Sequence, residues 1–148
     1  VANLYGPEHL ALQTLDAEKM VDRIPAAGAV FVGAYAAEIV PLSKPFALWA
    51  GNVFQGIVKL DGEPVPYAEV EVEYYNEDGS AAAPSDLMIT QTVKADSEGV
   101  FTYAAPTSGW WGFAALNTAE EPMQYEGEDK AHELGAVIWV HFEPWATQ

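Results

Sequence analysis

Three runs in the middle of the chain alternate at period two, and this alternation limits the possible folds more than any other feature. In GNVFQGIVKL (51–60), Val53, Gln55, Ile57 and Lys59 face opposite to Phe54, Gly56, Val58 and Leu60. In EVEVEY (69–74), Val70, Val72 and Tyr74 oppose Glu69, Glu71 and Glu73. In VFTYAA (100–105), Val100, Thr102 and Ala104 oppose Phe101, Tyr103 and Ala105. Successive side chains of a strand point to opposite faces, so each run is expected to be a strand with one dry and one wet face. The separators DGEP (61–64), NEDG (76–79) and DSEG (96–99) carry turn chemistry. Short strands at this spacing predict an all-β fold, an antiparallel β-sandwich of about seven strands.

Composition narrows the function. The chain has 148 residues, half of them apolar and 12% aromatic, enough for one domain with a substantial core. Twenty-two acidic residues against six basic ones give a net charge of −16, which disfavours nucleic acid and anionic membrane surfaces and favours cations or cationic partners. Without cysteine there is neither a disulfide framework nor a thiolate metal site. No apolar run is long enough to cross a bilayer, so direct membrane insertion is not expected. A start at Val1 fits a processed mature end or a trimmed domain, and a periplasmic or extracellular location with the leader removed ahead of Val1 is the expectation.

The first 37 residues read differently from the rest. Gly6-Pro7-Glu8 can open a helix, and Leu12, Leu15, Ala17, Met20, Val21 and Ile24 recur near helical spacing before Pro25 ends the run. The expectation is an N-terminal amphipathic helix whose apolar stripe packs on the sandwich or docks on another chain. Residues 26–42 are small and apolar, as in a strand buried on both faces that pairs within the chain or with a neighbour. The chain thus divides into a packing or assembly segment, 1–37, and a β-sandwich domain, 38–148.

Toward the C-terminus, residues 87–95 are expected to form a strand. Trp110 and Trp111 must lie on opposite faces of another: one fills the core, and the other covers a loop, meets a partner, stands exposed or serves as a stacking platform. Residues 117–133 are the most polar stretch and read as an acidic loop. The closing strand, LGAVIWVHF (134–142), sets Ala136, Ile138 and Val140 against Val137, Trp139 and His141.

Several strings resemble a known family: EIVPLSKPFALWAGNVFQG (38–56), GEPVPYAEVEVEYYN (62–76), ITQTVKADSEGVFTYAAP (89–106), GWWGFAALNTA (109–119) and ELGAVIWVHFE (133–143). They are similar to carboxypeptidase-regulatory and transthyretin-like sandwiches. More particularly, they resemble the C-terminal half of the periplasmic component of cobalt/nickel ABC uptake systems, a family also described as a domain of unknown function. The resemblance implies a transthyretin-like sandwich, export, a membrane transporter component as partner and an association with nickel or cobalt. It also implies a further β-rich domain ahead of the EIVPL string, where this chain has 37 residues. A metal role belonging to that missing half does not transfer.

Catalytic chemistry has few candidates. There is no phosphate-binding glycine loop, no HExxH and no serine in a nucleophile-elbow setting, so a non-enzymatic protein is expected. For a metal, imidazole and carboxylate suit nickel or cobalt, which makes His132, Glu133 and His141 the candidate ligands, with calcium at the acidic loop as a further option. The plainer alternative is a surface His132 and a His141 that pairs with a sheet neighbour. Two functions follow: an exported accessory binding module, or a structural subunit of a surface assembly that contacts copies of itself through residues 8–40.

Overall fold

A computed structural model describes the backbone of residues 29–33 and the full residues 37–145. The expected N-terminal helix lies outside the described residues. Within them the chain is all-β, with one 3-10 turn at Asp86–Met88. The strands in chain order are β1 (Ala29–Gly33), β2 (Ala37–Pro41), β3 (Leu48–Trp49), β4 (Val53–Leu60), β5 (Glu63–Pro64), β6 (Glu69–Tyr74), β7 (Thr90–Lys94), β8 (Val100–Ala104), β9 (Gly109–Thr118), β10 (Met123–Tyr125), β11 (Glu128–Lys130) and β12 (Glu133–Glu143).

Among the described residues twelve strands replace the expected seven. Part of the excess is short pieces that leave little periodic trace, such as two-residue β3 and β5. Another part is the acidic stretch, which folds back as the β10–β11 hairpin rather than remaining a loop. The apolar run at 26–42 is also not one strand. Its first part, β1, pairs with β12, and its second part, β2, pairs with β4 in the other sheet. The expected strand at 87–95 begins only at Thr90, after the 3-10 turn.

The six-stranded sheet runs β1-β12-β9-β6-β7, with β3 parallel to the end of β12. In the four-stranded sheet β4 pairs with β2, β5 and β8. The alternating runs decide which residues lie between the sheets. On β4 the buried set is Phe54, Gly56 and Val58; on β6 it is Val70 and Val72; on β12 it is Ala136, Ile138, Val140 and Phe142. Trp111 is buried on the core face of β9, and Trp110 is half-exposed on the opposite face, as their adjacency requires.

Three phenylalanines join the sheets. Phe54 of β4 meets Phe113 of β9 with ring centroids 4.7 Å apart, and Phe101 of β8 closes the triangle at 5.9 and 5.8 Å. The triangle needs Gly56 beside it, because a β-carbon there would stand 2.7 Å from the Phe101 ring. Outside this centre, Tyr103 packs on Phe113 and Trp111 and donates its hydroxyl to Gln91 Oε1 at 2.7 Å, tying β8 to β7. The Trp111 indole N–H donates to the Thr107 carbonyl at 3.0 Å. At the turn between β7 and β8, the Asp96 carboxylate accepts from the backbone N–H groups of Glu98 and Val100 at 2.8 and 3.0 Å.

Two outcomes follow for stability. Phe113→Ala is expected to cost about 3–5 kcal/mol, since it removes a fully buried ring shared by both sheets. Trp110→Ala, on the outer face, should cost under about 1 kcal/mol; urea unfolding of both variants measures the contrast. Burial raises the Tyr103 hydroxyl above the ordinary tyrosine value of 10.0. Its neutral form therefore contributes stability that is fully present below pH 10.0 and lost as pH rises through the folded-state value. Tyr103→Phe should remove that part of the alkaline loss, as read by unfolding at a series of pH values.

Candidate functional site

The outward face of the six-stranded sheet brings together a set of partly exposed aromatic and acidic side chains. Its arrangement follows from strand register. Across β12, β9 and β6, Trp139 stands opposite Gly112, and Gly112 opposite Glu73. In the next row Val137 faces Ala114, and Ala114 faces Glu71. In the row on the other side His141 pairs with Trp110, whose carbonyl accepts from the Tyr75 N–H at 2.8 Å.

Gly112 determines how these side chains meet. A β-carbon at this position would lie 2.8 Å from the Trp139 ring, so the indole lies across β9 only because no side chain is there. From there it reaches Tyr75, with centroids 5.8 Å apart and planes at 74°. Trp110 and His141 form a second pair at 5.1 Å and 59°. The rings stand at steep angles to one another. They do not form the single plane on which a flat ligand would stack.

Acidic groups border these rings. His141 Nδ1 is 3.2 Å from Glu143 Oε1. Glu69 is paired with Lys94 at 3.3 Å, and the Thr90 hydroxyl donates to Glu73. Among the described residues no hydrogen bond or ion pair engages the Glu71 side chain, which is half-exposed on the same face. The expectation that these glutamates share a wetted face agrees with the structure. The strand that carries them is interior, flanked by β7 and β9.

The candidate metal ligands are placed far apart. His132 precedes β12, and its carbonyl accepts from the Ala119 N–H at 2.8 Å. Glu133 opens β12 opposite Thr118, whereas His141 lies near the other end. At about 3.4 Å per residue, nine steps of extended chain separate the two histidines by roughly 30 Å. Strand β12 thus keeps His132 and Glu133 out of reach of His141, and among the described residues no three metal-ligating side chains gather. The acidic residues of 120–130 sit on or beside the β10–β11 hairpin, with Lys130 paired to Glu128 at 2.6 Å.

Trp139 and Tyr75 did not stand out in the sequence as site residues. Their meeting depends on β12, β9 and β6 being neighbours in one register, and a single sequence does not display non-local pairing. The available signal was Trp139 on the wet side of the closing strand, beside His141.

The fold and this face define a small all-β module with a tilted aromatic surface bordered by carboxylates. The profile described as "Domain of unknown function (DUF4198)" matches residues 23–119, and the chain belongs to this family. A second profile, "Histidinol dehydrogenase", matches residues 1–41. Curated proteins similar over this stretch include the histidinol dehydrogenases of Pectobacterium atrosepticum, 55% identical over 38 residues, and Leifsonia xyli subsp. xyli, 63% identical over 35 residues. The matched segments make up 26% and 24% of this chain but 9% and 8% of those enzymes. The chain therefore spans less than a tenth of the length of these curated relatives. No solved structure matches.

Proposed function

We propose that the chain is a non-enzymatic, exported recognition module that binds a basic protein segment through the outer face of its six-stranded sheet. The observation that carries this reading is the set of tilted rings, Trp110, Trp139, Tyr75 and His141, beside Glu71 and Glu73 on a chain of net charge −16. A lysine or arginine head over an indole gains about 0.5–1 kcal/mol where exposed and about 2 kcal/mol where desolvated. A neighbouring carboxylate adds a charge-assisted hydrogen bond, and Glu71 has that capacity free among the described residues. The angles between the rings suit a compact cationic head better than a flat sugar chain. The acidity also draws a basic partner in from a distance.

Calorimetry with an arginine- and lysine-rich decapeptide tests this. Trp139→Ala is expected to weaken binding about fivefold, the equivalent of about 1 kcal/mol of cation–π attraction, and Glu71→Gln by a similar factor. Equal losses from Glu120→Gln and Glu121→Gln, with none from Trp139→Ala, would reveal general attraction to an acidic chain and sink the proposal.

A second reading keeps the accessory role in nickel or cobalt uptake, on a transthyretin-like sandwich with an N-terminal helix, and is supported by the His141–Glu143 pair. That pair offers an imidazole and a carboxylate, and a transporter partner would complete the ion's shell. On nickel titration followed by calorimetry, His141→Ala should abolish the binding heat while His132→Ala leaves it unchanged. Heat that survives His141→Ala would remove this site from consideration. Assembly through residues 8–40, the structural alternative, rests mostly on residues outside the described ones.

A further inference from the structure

The outward face of the four-stranded sheet is built differently from the rest of this acidic chain. Its strands present Val40 from β2, Val53 and Ile57 from β4, and Leu42 just beyond β2, with Leu42 and Val53 about half-exposed at 55% and 49%. The polar pair at its centre is joined internally, with Gln55 Nε2 donating to Thr102 Oγ1 at 3.0 Å. At one end Glu38 and Lys59 stand directly opposite in register, so the face has no net charge.

We propose that this face docks against the same face of a second copy of the chain, giving a two-fold symmetric dimer. Charge argues for the second copy. Two molecules each carrying −16 repel over most of their surfaces, and this neutral apolar face is where they approach without bringing like charges together. Gln55 and Thr102 meet part of their hydrogen-bonding need within the face, so burial leaves fewer groups to be paired across it. Geometry allows it as well, since two antiparallel sheets pack face to face about 10 Å apart. Three strands at about 4.8 Å spacing and five residues at about 3.4 Å give a face of roughly 14 by 17 Å. That is smaller than the surface behind a standard interface of about 800 Å² per partner, so the dimer is weak and depends on concentration. Packed in this way, the two aromatic faces point outward on opposite sides, and the dimer presents them as a pair to a multivalent partner.

Sedimentation velocity on the full chain tests the proposal, over about 5–500 µM, the range in which a small interface saturates. Dimer is expected to grow with concentration and to grow further as salt rises from about 0.05 to 0.5 M, because screening weakens the repulsion between copies. Leu42→Glu combined with Val53→Glu changes side chains already in contact with solvent and should weaken association at least about tenfold with an unchanged urea midpoint. Trp139→Ala, on the opposite face, should leave the dimer intact. A monomer at every concentration and both salts would overturn the proposal. So would a dimer that survives the Leu42/Val53 double variant, or one that is lost with Trp139→Ala.

Discussion

The contact between Phe54 and Phe113 is the point on which the two sheets depend. One ring comes from each sheet, the centroids are 4.7 Å apart, and both side chains are fully buried. Two sheets can be held near each other by many apolar pairs, but large rings in contact leave little freedom to slide, because interiors pack as densely as organic crystals. Phe101 sits against both, and the absent side chain at Gly56 makes room for it. The position of β9 then follows, and with it the opposite face. Phe113 points inward, so its neighbours Gly112 and Ala114 must point outward. The missing side chain at Gly112 lets Trp139 lie across the strand. The candidate site is in this sense the reverse side of the core.

Legibility in the sequence followed the range of the interaction. Alternation in β4, β6, β8 and β12 is local, and it correctly divided Phe54 from Val53, Val70 from Glu69 and Ile138 from Trp139. The opposed directions of Trp110 and Trp111 were readable for the same reason. The division of residues 29–41 between two sheets was not, because nothing local distinguishes one long buried strand from two short ones that pair with different partners. The histidines show the same limit in reverse. His132 and His141 were grouped by closeness in sequence, yet an extended strand converts nine residues into roughly 30 Å. Trp139 and Tyr75 are 64 positions apart and form a ring pair, which only the β12-β9-β6 order brings about.

Some of the acidic residues are grouped. Glu69, Glu71 and Glu73 lie on one face of the large sheet, and the acidic residues between 120 and 130 collect at the β10–β11 hairpin. Among the described residues, the outward face of the small sheet sets Glu38 opposite Lys59. A net charge of −16 thus describes no single surface of the molecule. One sheet face combines carboxylates with aromatic rings and favours cations; the other is neutral and apolar. Salt would act on the two proposed contacts in opposite directions, weakening attraction for a basic ligand and relieving repulsion between copies.

The likeness of residues 1–41 to histidinol dehydrogenases bears on function differently from the family match at 23–119. An active site gathers groups from distant parts of a chain, so identity over 38 residues transfers a local sequence preference and not a catalytic arrangement. Where that stretch enters the described residues, its conformation is set by partners from elsewhere in the chain. Residues 29–33 run antiparallel to Val140–Ala136 of β12, and residues 37–41 run antiparallel to Leu60–Gly56 of β4. Both partner strands lie in the all-β module, outside the stretch of likeness. Residues 29–33 and 37–41 of the stretch are thus held here by two different sheets.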